Sequence, residues 1–153
     1  WGALKAELPS LRLVVAGRSP TTGVLELGSD PMITVTGSVS EIAPLINSAL
    51  VALAPMQSGS GMQFKILEAM ACGVPVVANT IGLGDIKAIP GKDLLIGDTP
   101  DEFIKSIIVL IQSADFRNRI GESGLKYVRN HHTWERVNAR FEDSIINEMH
   151  KIA

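Results

Sequence analysis

The chain has a single cysteine, Cys72, in 153 residues. That excludes an internal disulfide and fits a reducing, cytoplasmic compartment. Its apolar surroundings point to a buried, inert thiol rather than a reactive one. Aromatic residues are also scarce, at 5% against 46% hydrophobic overall, so the core must be built of Val, Ile, Leu, Ala and Met, which suits buried parallel strands. No excess of positive charge exists: 14 Lys and Arg against 16 Asp and Glu leave a net charge of -2, and no nucleic-acid partner is expected. A phosphate ligand remains open, because glycine loops and helix ends bind anions through backbone dipoles. No apolar run reaches the ~18 residues of a membrane span, so no membrane anchor is expected in this segment. Trp1 to Glu7 lacks the basic region and apolar stretch of a signal peptide. There is no initiator Met, and the chain reads as a piece of something longer. The histidines, His131, His132 and His150, fall late and without metal-ligand spacing, and read as surface or helix-end residues. No Ser-His-Asp or Cys-His arrangement can be argued.

What is present is an alternation of apolar strands and amphipathic helices. Strands are expected at LRLVVAG (11–17), MITVTG (32–37), LVALAP (50–55), VPVVAN (74–79) and DLLIGD (93–98). Helices are expected at WGALKAELP, at TTGVLELG, after Ser40 as N-cap, and from Met62 to Cys72 with Phe64, Leu67 and Met70 inward. Beyond residue 99 the chain reads as closing helices. The first is capped by Thr99, with Pro100 in its first turn, Asp101 and Glu102 at its positive end, and Ile104, Ile107, Ile108 and Ile111 as its stripe. A second covers DFRNRIGESGLKYVRNHH, and a third begins at Thr133 with Trp134 and Val137 inward. The pattern predicts an α/β fold: a Rossmann-like, doubly wound parallel sheet with helices on both faces, forming one domain over residues 1–153. A doubly wound half normally begins with a strand, so a strand and its loop are expected upstream of Trp1.

In such sheets ligands bind outside the carboxyl ends of the strands. Three loops qualify: Gly17-Arg18-Ser19-Pro20, Gly37-Ser38-Val39, and Met56 to Met62. In the last, Ser58-Gly59-Ser60-Gly61 would let a pyrophosphate approach the backbone, and the amides of Gly61, Met62 and Gln63 open a helix without intrahelical partners. Neither a P-loop nor a G-x-G-x-x-G is present, and a plain flexible loop is the alternative. Lys65 stands in the helix's first turn, where a cation is disfavoured unless an anion is bound; a solvent-facing lysine is the alternative. Glu68 lies between Leu67 and Ala69 in an apolar stretch. A buried carboxylate is rare unless paired or used, and a carboxylate can accept both hydroxyls of a ribose diol; an exposed helix glutamate is the alternative. In TIGLGD (80–85), Gly82 and Gly84 permit close approach, and Asp85 would accept sugar hydroxyls or cap a helix.

The run G-S-G-M-Q-F-K-I-L-E-A-M-A-C-G-V-P-V-V, residues 59–77, resembles the donor-binding signature of the group 1 (family 4) retaining glycosyltransferases, whose glycine loop enters a helix reading L-E-A-M-A-x-G-x-P-V-V. L-R-L-V-V-A-G-R, V-T-G-S-V and R-I-G-E-S-G-L-K-Y-V-R-N-H-H-T-W-E-R-V are similar to further elements of that family, so the resemblance covers nearly the whole chain.

The resemblance implies two Rossmann-like domains facing across a cleft, this chain being the C-terminal, nucleotide-sugar-binding one of a GT-B type enzyme. It implies sugar transfer with retention of configuration, no metal or other cofactor, and a place in cell-surface polysaccharide or glycoconjugate assembly. The acceptor is held by an N-terminal domain of the same protein, at the inner face of the membrane where it is lipid-linked. Carried over by position, Glu68 holds the ribose, and Gly61, Met62 and Gln63 meet the phosphates; Gly59, Ser60 and Lys65, read from the loop and helix start, belong to the same expected donor site. Ser38 and Val39 lie where the nucleobase packs, and Arg18 approaches the phosphates from its own loop. Two departures stand out. Ser60 occupies the position of the first Glu in the family's Glu-x7-Glu pattern. The basic pair that stabilises the leaving diphosphate would fall before Trp1, so no catalytic residue is assigned in this chain. Alternatives are a nucleotide-binding or interaction domain without catalysis, and a sugar-nucleotide epimerase of similar architecture.

Overall fold

The computed structural model describes residues 1–58, 63–138, 141, 142, 145 and 149. These fall into two compact units, Trp1–Ser48 and the remainder from Ala49.

The first unit runs α1 (Gly2–Glu7), β1 (Leu13–Ala16), α2 (Thr22–Leu27), β2 (Ile33–Gly37) and α3 (Ala43–Asn47). β1 and β2 pair in parallel, Leu13 opposite Ile33, with a shift in register after Val15. Leu4 and Ile33 are its buried apolar side chains. Asp30 ties α1 to the turn before β2: it accepts from Trp1 Nε1 at 2.9 Å, from Lys5 Nζ at 2.9 Å and from the Met32 N–H at 2.9 Å. Ser40 does not cap α3, whose N-cap is Ile42 with no side-chain bond. Pro44 sets the start instead, because its missing N–H and fixed φ are tolerated only in a first turn.

The second unit runs β3 (Ala52–Ala54), α4 (Phe64–Ala71), β4 (Val76–Ala78), α5 (Thr80–Leu83), β5 (Leu95–Ile96), α6 (Pro100–Gln112) and α7 (Ala114–His131). Its sheet is parallel in the order β3-β4-β5, with Leu53 opposite Val77 and Val77 opposite Leu95. Val76, Val77 and Ala78 are all buried, as a central parallel strand requires. Ile66, Met70, Leu94, Leu110 and Ile120 fill the core around it. α6 begins on the expected capping box: Thr99 Oγ1 accepts from the Glu102 N–H, and the Glu102 carboxylate accepts from the Thr99 N–H at 3.1 Å. α7 is capped by Ser113 and lies against the chain that enters β4 and β5. Gly121 and the Gly73 carbonyl leave no room for a side chain between them, and a methyl on Gly124 would stand 2.8 Å from the Asp93 carbonyl.

Several expected placements differ. Phe64 is 70% exposed; Ile66, Leu67, Ala69 and Met70 form the buried arc of α4, and Phe64 points to the opposite arc at 3.6 residues per turn. Cys72 is half-buried rather than fully enclosed. Residues 134–138 are helical, and the Thr133 hydroxyl accepts from the Arg136 N–H at 3.4 Å, but Trp134 is 79% and Val137 40% exposed rather than inward. Half of the expected third closing helix, His150 included, lies outside the described residues.

Candidate functional site

Parallel pairing sends the loops after β1 and β2 out of one end of their sheet, and those after β3, β4 and β5 out of one end of theirs. In the first unit the exposed residues Arg18, Ser38 and Val39 all stand at that carboxyl end. Ser19, next to Arg18, has φ 53, a left-handed conformation that costs a non-glycine residue about 1 kcal/mol. It turns the chain sharply away from β1.

In the second unit the carboxyl end is a bonded rim. Asn79, directly after β4, holds the chain leaving β3: its Nδ2 donates to the Met56 carbonyl at 2.6 Å, and its Oδ1 accepts from the Met56 N–H at 3.2 Å. The same Oδ1 accepts from the Gly82 N–H at 2.9 Å, capping α5. Gly82 has to be glycine, since a methyl there would come 2.8 Å from the Ala54 carbonyl. Asp98, just past β5, accepts from the Thr80 N–H and hydroxyl, both at 2.7 Å. Those bonds to Thr80 hold the Asp98 carboxyl below its ordinary value. The Asp98 N–H in turn donates to Glu102 Oε2 at 3.0 Å, and the Glu102 carboxyl is held low by the Thr99 and Asp98 amides. One connected set of bonds therefore joins the exits of β3, β4 and β5 to the start of α6.

α4 stands on this rim. Its N-cap, Gln63, makes no side-chain cap bond, and the Gln63 carbonyl accepts from the Ile66 N–H at 3.0 Å. Lys65 and Glu68, one turn apart, are both exposed while Ile66, Leu67, Ala69 and Met70 are buried. Lys65 Nζ lies 3.0 Å from Met56 Sδ, a thioether and hence a weak acceptor. The expectation that Glu68 is a buried carboxylate is thus corrected. Its apolar neighbours occupy the inward arc and Glu68 the outward one, so its carboxylate meets solvent. Gly59, Ser60, Gly61 and Met62 lie outside the described residues. Asp85 is exposed and caps nothing; TIGL is the short helix α5, and its cap is Asn79.

Asn79, Met56, Thr80 and Asp98 were not singled out from the sequence. Asn79 carries a legible signal, an Asx residue directly after an apolar strand and three before a glycine, which is an N-cap pattern. The tie to Asp98 spans 18 residues and has no local signature. Among the described residues no group of three or more His, Cys, Asp or Glu is placed to hold a metal ion, and no helix is long and apolar enough to cross a membrane.

A family model described as Glycosyl transferases group 1 matches residues 1–113. Glycosyltransferase 1 domain-containing protein 1 of Xenopus tropicalis is 29% identical over 126 residues, which cover 82% of this chain and 34% of that protein. The chain thus spans about a third of the length of that curated relative. The C-terminal domain of the group 1 family glycosyl transferase LpcC from Francisella tularensis superposes with a TM-score of 0.73 at 16% identity, over 86% of this chain and 75% of that one. Anabaena Alr3699/HepE, solved with UDP and glucose, superposes with a TM-score of 0.78 at 17% identity, over 94% of this chain and 42% of that one. These two likenesses identify the fold as the Rossmann-like C-terminal domain of GT-B glycosyltransferases.

Proposed function

The chain belongs to the group 1 glycosyl transferases, and from that premise we propose that it is the donor-binding part of a retaining glycosyltransferase. It would hold a nucleoside-diphosphate sugar while the sugar passes to an acceptor held by an N-terminal domain of the same protein, in the cytoplasm. The observation that carries the reading is α4 at the sheet's carboxyl end: a first turn without a side-chain cap bond, Lys65 bonded among the described residues to a thioether, and Glu68 exposed one turn on. A diphosphate at that first turn would meet the helix's positive end and the ammonium of Lys65. Glu68 would accept both hydroxyls of the ribose. Gly59, Ser60, Gly61, Met62 and Gln63 would supply backbone donors to the phosphates. By the family resemblance, Arg18 would contact phosphate, and Ser38 and Val39 the nucleobase. The chemistry is electrostatic: the leaving diphosphate is neutralised and the sugar carbon oriented, with no protein nucleophile assigned in this chain and no metal required. UDP stands in the Anabaena neighbour, which makes uridine the first base to try.

Calorimetric titration with UDP, GDP and ADP, with Glu68→Ala in parallel, tests this. One nucleotide is expected to bind, and the variant to weaken it by about 1–3 kcal/mol. Equal affinity in the variant would remove Glu68 from the site. A second reading, a nucleotide-binding domain without catalysis, is favoured by Ser60 at the family's first-Glu position. It predicts the same binding but no sugar transfer by the complete protein.

A further inference from the structure

At the opposite end of the three-stranded sheet, where the chain enters β5, lies a half-open cavity of about 290 Å³. Lys87 and Lys92 reach it from the segment before β5, and Lys126, Tyr127 and Asn130 from α7. We propose that this cavity is a second anion site, built for a phosphate-bearing small molecule or headgroup and separate from the donor site.

The walls are fixed in place. The Lys87 N–H donates to the Tyr127 hydroxyl at 3.0 Å. Asp93 is 4% exposed, and its carboxylate accepts from the Ile89 N–H at 2.8 Å and from the Ser123 hydroxyl at 2.7 Å. The segment carrying Lys87 and Lys92 is therefore pinned to α7 at both ends, and the close approach of Gly124 to the Asp93 carbonyl leaves that contact little freedom.

Charge is what makes the cavity unusual in a chain of net charge -2. Three exposed lysines gather round it, and none has an ion-pair partner among the described residues. The sole acid in its lining is Asp93, whose oxygens face Ile89 and Ser123. Like charges around one hollow raise the free energy of the empty site, and a multivalent anion lowers it. Phosphate fits: its oxygens accept from ammonium groups, and the Asn130 amide adds a neutral donor.

The test is a titration of the full chain with inorganic pyrophosphate, followed through the backbone amide resonances. Saturable shifts are expected in residues 87–93 and 123–131. Lys92→Ala with Lys126→Ala should weaken that binding by about ten-fold per lysine, while Lys65→Ala leaves it unchanged. Shifts confined to residues 56–70, or the same affinity in the double variant, would overturn the proposal. Inositol phosphates and phosphatidylcholine vesicles with or without phosphatidic acid then separate the two sources. Binding of either that is lost in the double variant names the ligand as soluble or as a headgroup; binding of neither overturns a biological role for the cavity. The donor reading stands or falls on Glu68 at the other end of the sheet, so failure of one leaves the other intact.

Discussion

Asn79 satisfies three backbone groups with one side chain: both polar groups of Met56 and the N–H of Gly82. No other standard side chain of that size offers a donor and a two-lone-pair acceptor in one plane. Asn79→Ala would leave three part-buried groups without partners, and an unsatisfied group costs about 1–3 kcal/mol. Asn79→Asp keeps the acceptor for Met56 N–H and Gly82 N–H but turns a second oxygen on the Met56 carbonyl. Both variants are expected to lower the urea midpoint, Ala more than Asp if the two accepted bonds dominate. Because Met56 opens the chain that runs into the glycine loop, both should also weaken nucleotide binding under conditions where circular dichroism shows the fold intact. Unchanged affinity in a folded Asn79→Ala would make the tie purely structural. Glu68 teaches a different lesson at this scale. Its flanking residues are apolar, yet a helix sorts positions by angle and not by neighbourhood, so ILEAM places Glu68 outward between two inward pairs.

At the scale of elements, the long-range ion pair of the first unit sets an acid limit. Lys5, then the Met32 amide and Trp1, lower the Asp30 carboxyl from 3.8 to about 2. A depressed carboxylate contributes stability that is complete above the unfolded value and is lost as pH falls through the folded one. Asp30→Asn should therefore be the less stable protein at pH 6, with the difference shrinking between about pH 4 and pH 2. Urea midpoints measured across that range check it, and a constant difference would mean that the bonds matter without the charge. The elements themselves were legible wherever periodicity and caps agreed: Thr99-Pro100-Asp101-Glu102 announces α6, and Val76–Ala78 announces a central strand. Two kinds of feature were not. Strand ends were shorter than their apolar runs, because pairing, not hydrophobicity, ends a strand: LVALAP yields only Ala52–Ala54. Contacts across many residues, Asp98 with Thr80 or Asp93 with Ser123, leave no trace in local pattern. The start of α4 after β3 was legible, whereas the bonded rim at the carboxyl end of that sheet was not.

For the whole molecule, the two proposed anion sites, at opposite ends of one sheet, make a prediction that neither makes alone. A ligand that binds only the folded state stabilises it by about 2.7 kcal/mol at a hundred times its dissociation constant. The nucleotide that binds in calorimetry should therefore raise the melting temperature, and Glu68→Ala should require more nucleotide for the same rise. Amide hydrogen exchange gives the location. Nucleotide should slow exchange in residues 56–70 and 79–84, around α4 and the Asn79 rim, and leave residues 87–93 as they were. Pyrophosphate, small enough for either end, should slow both. If nucleotide protects residues 87–93 and not α4, then the lysine cavity is the nucleotide site. Glu68 would then be an ordinary surface glutamate, and the donor site would have to be sought at the amino end of β5.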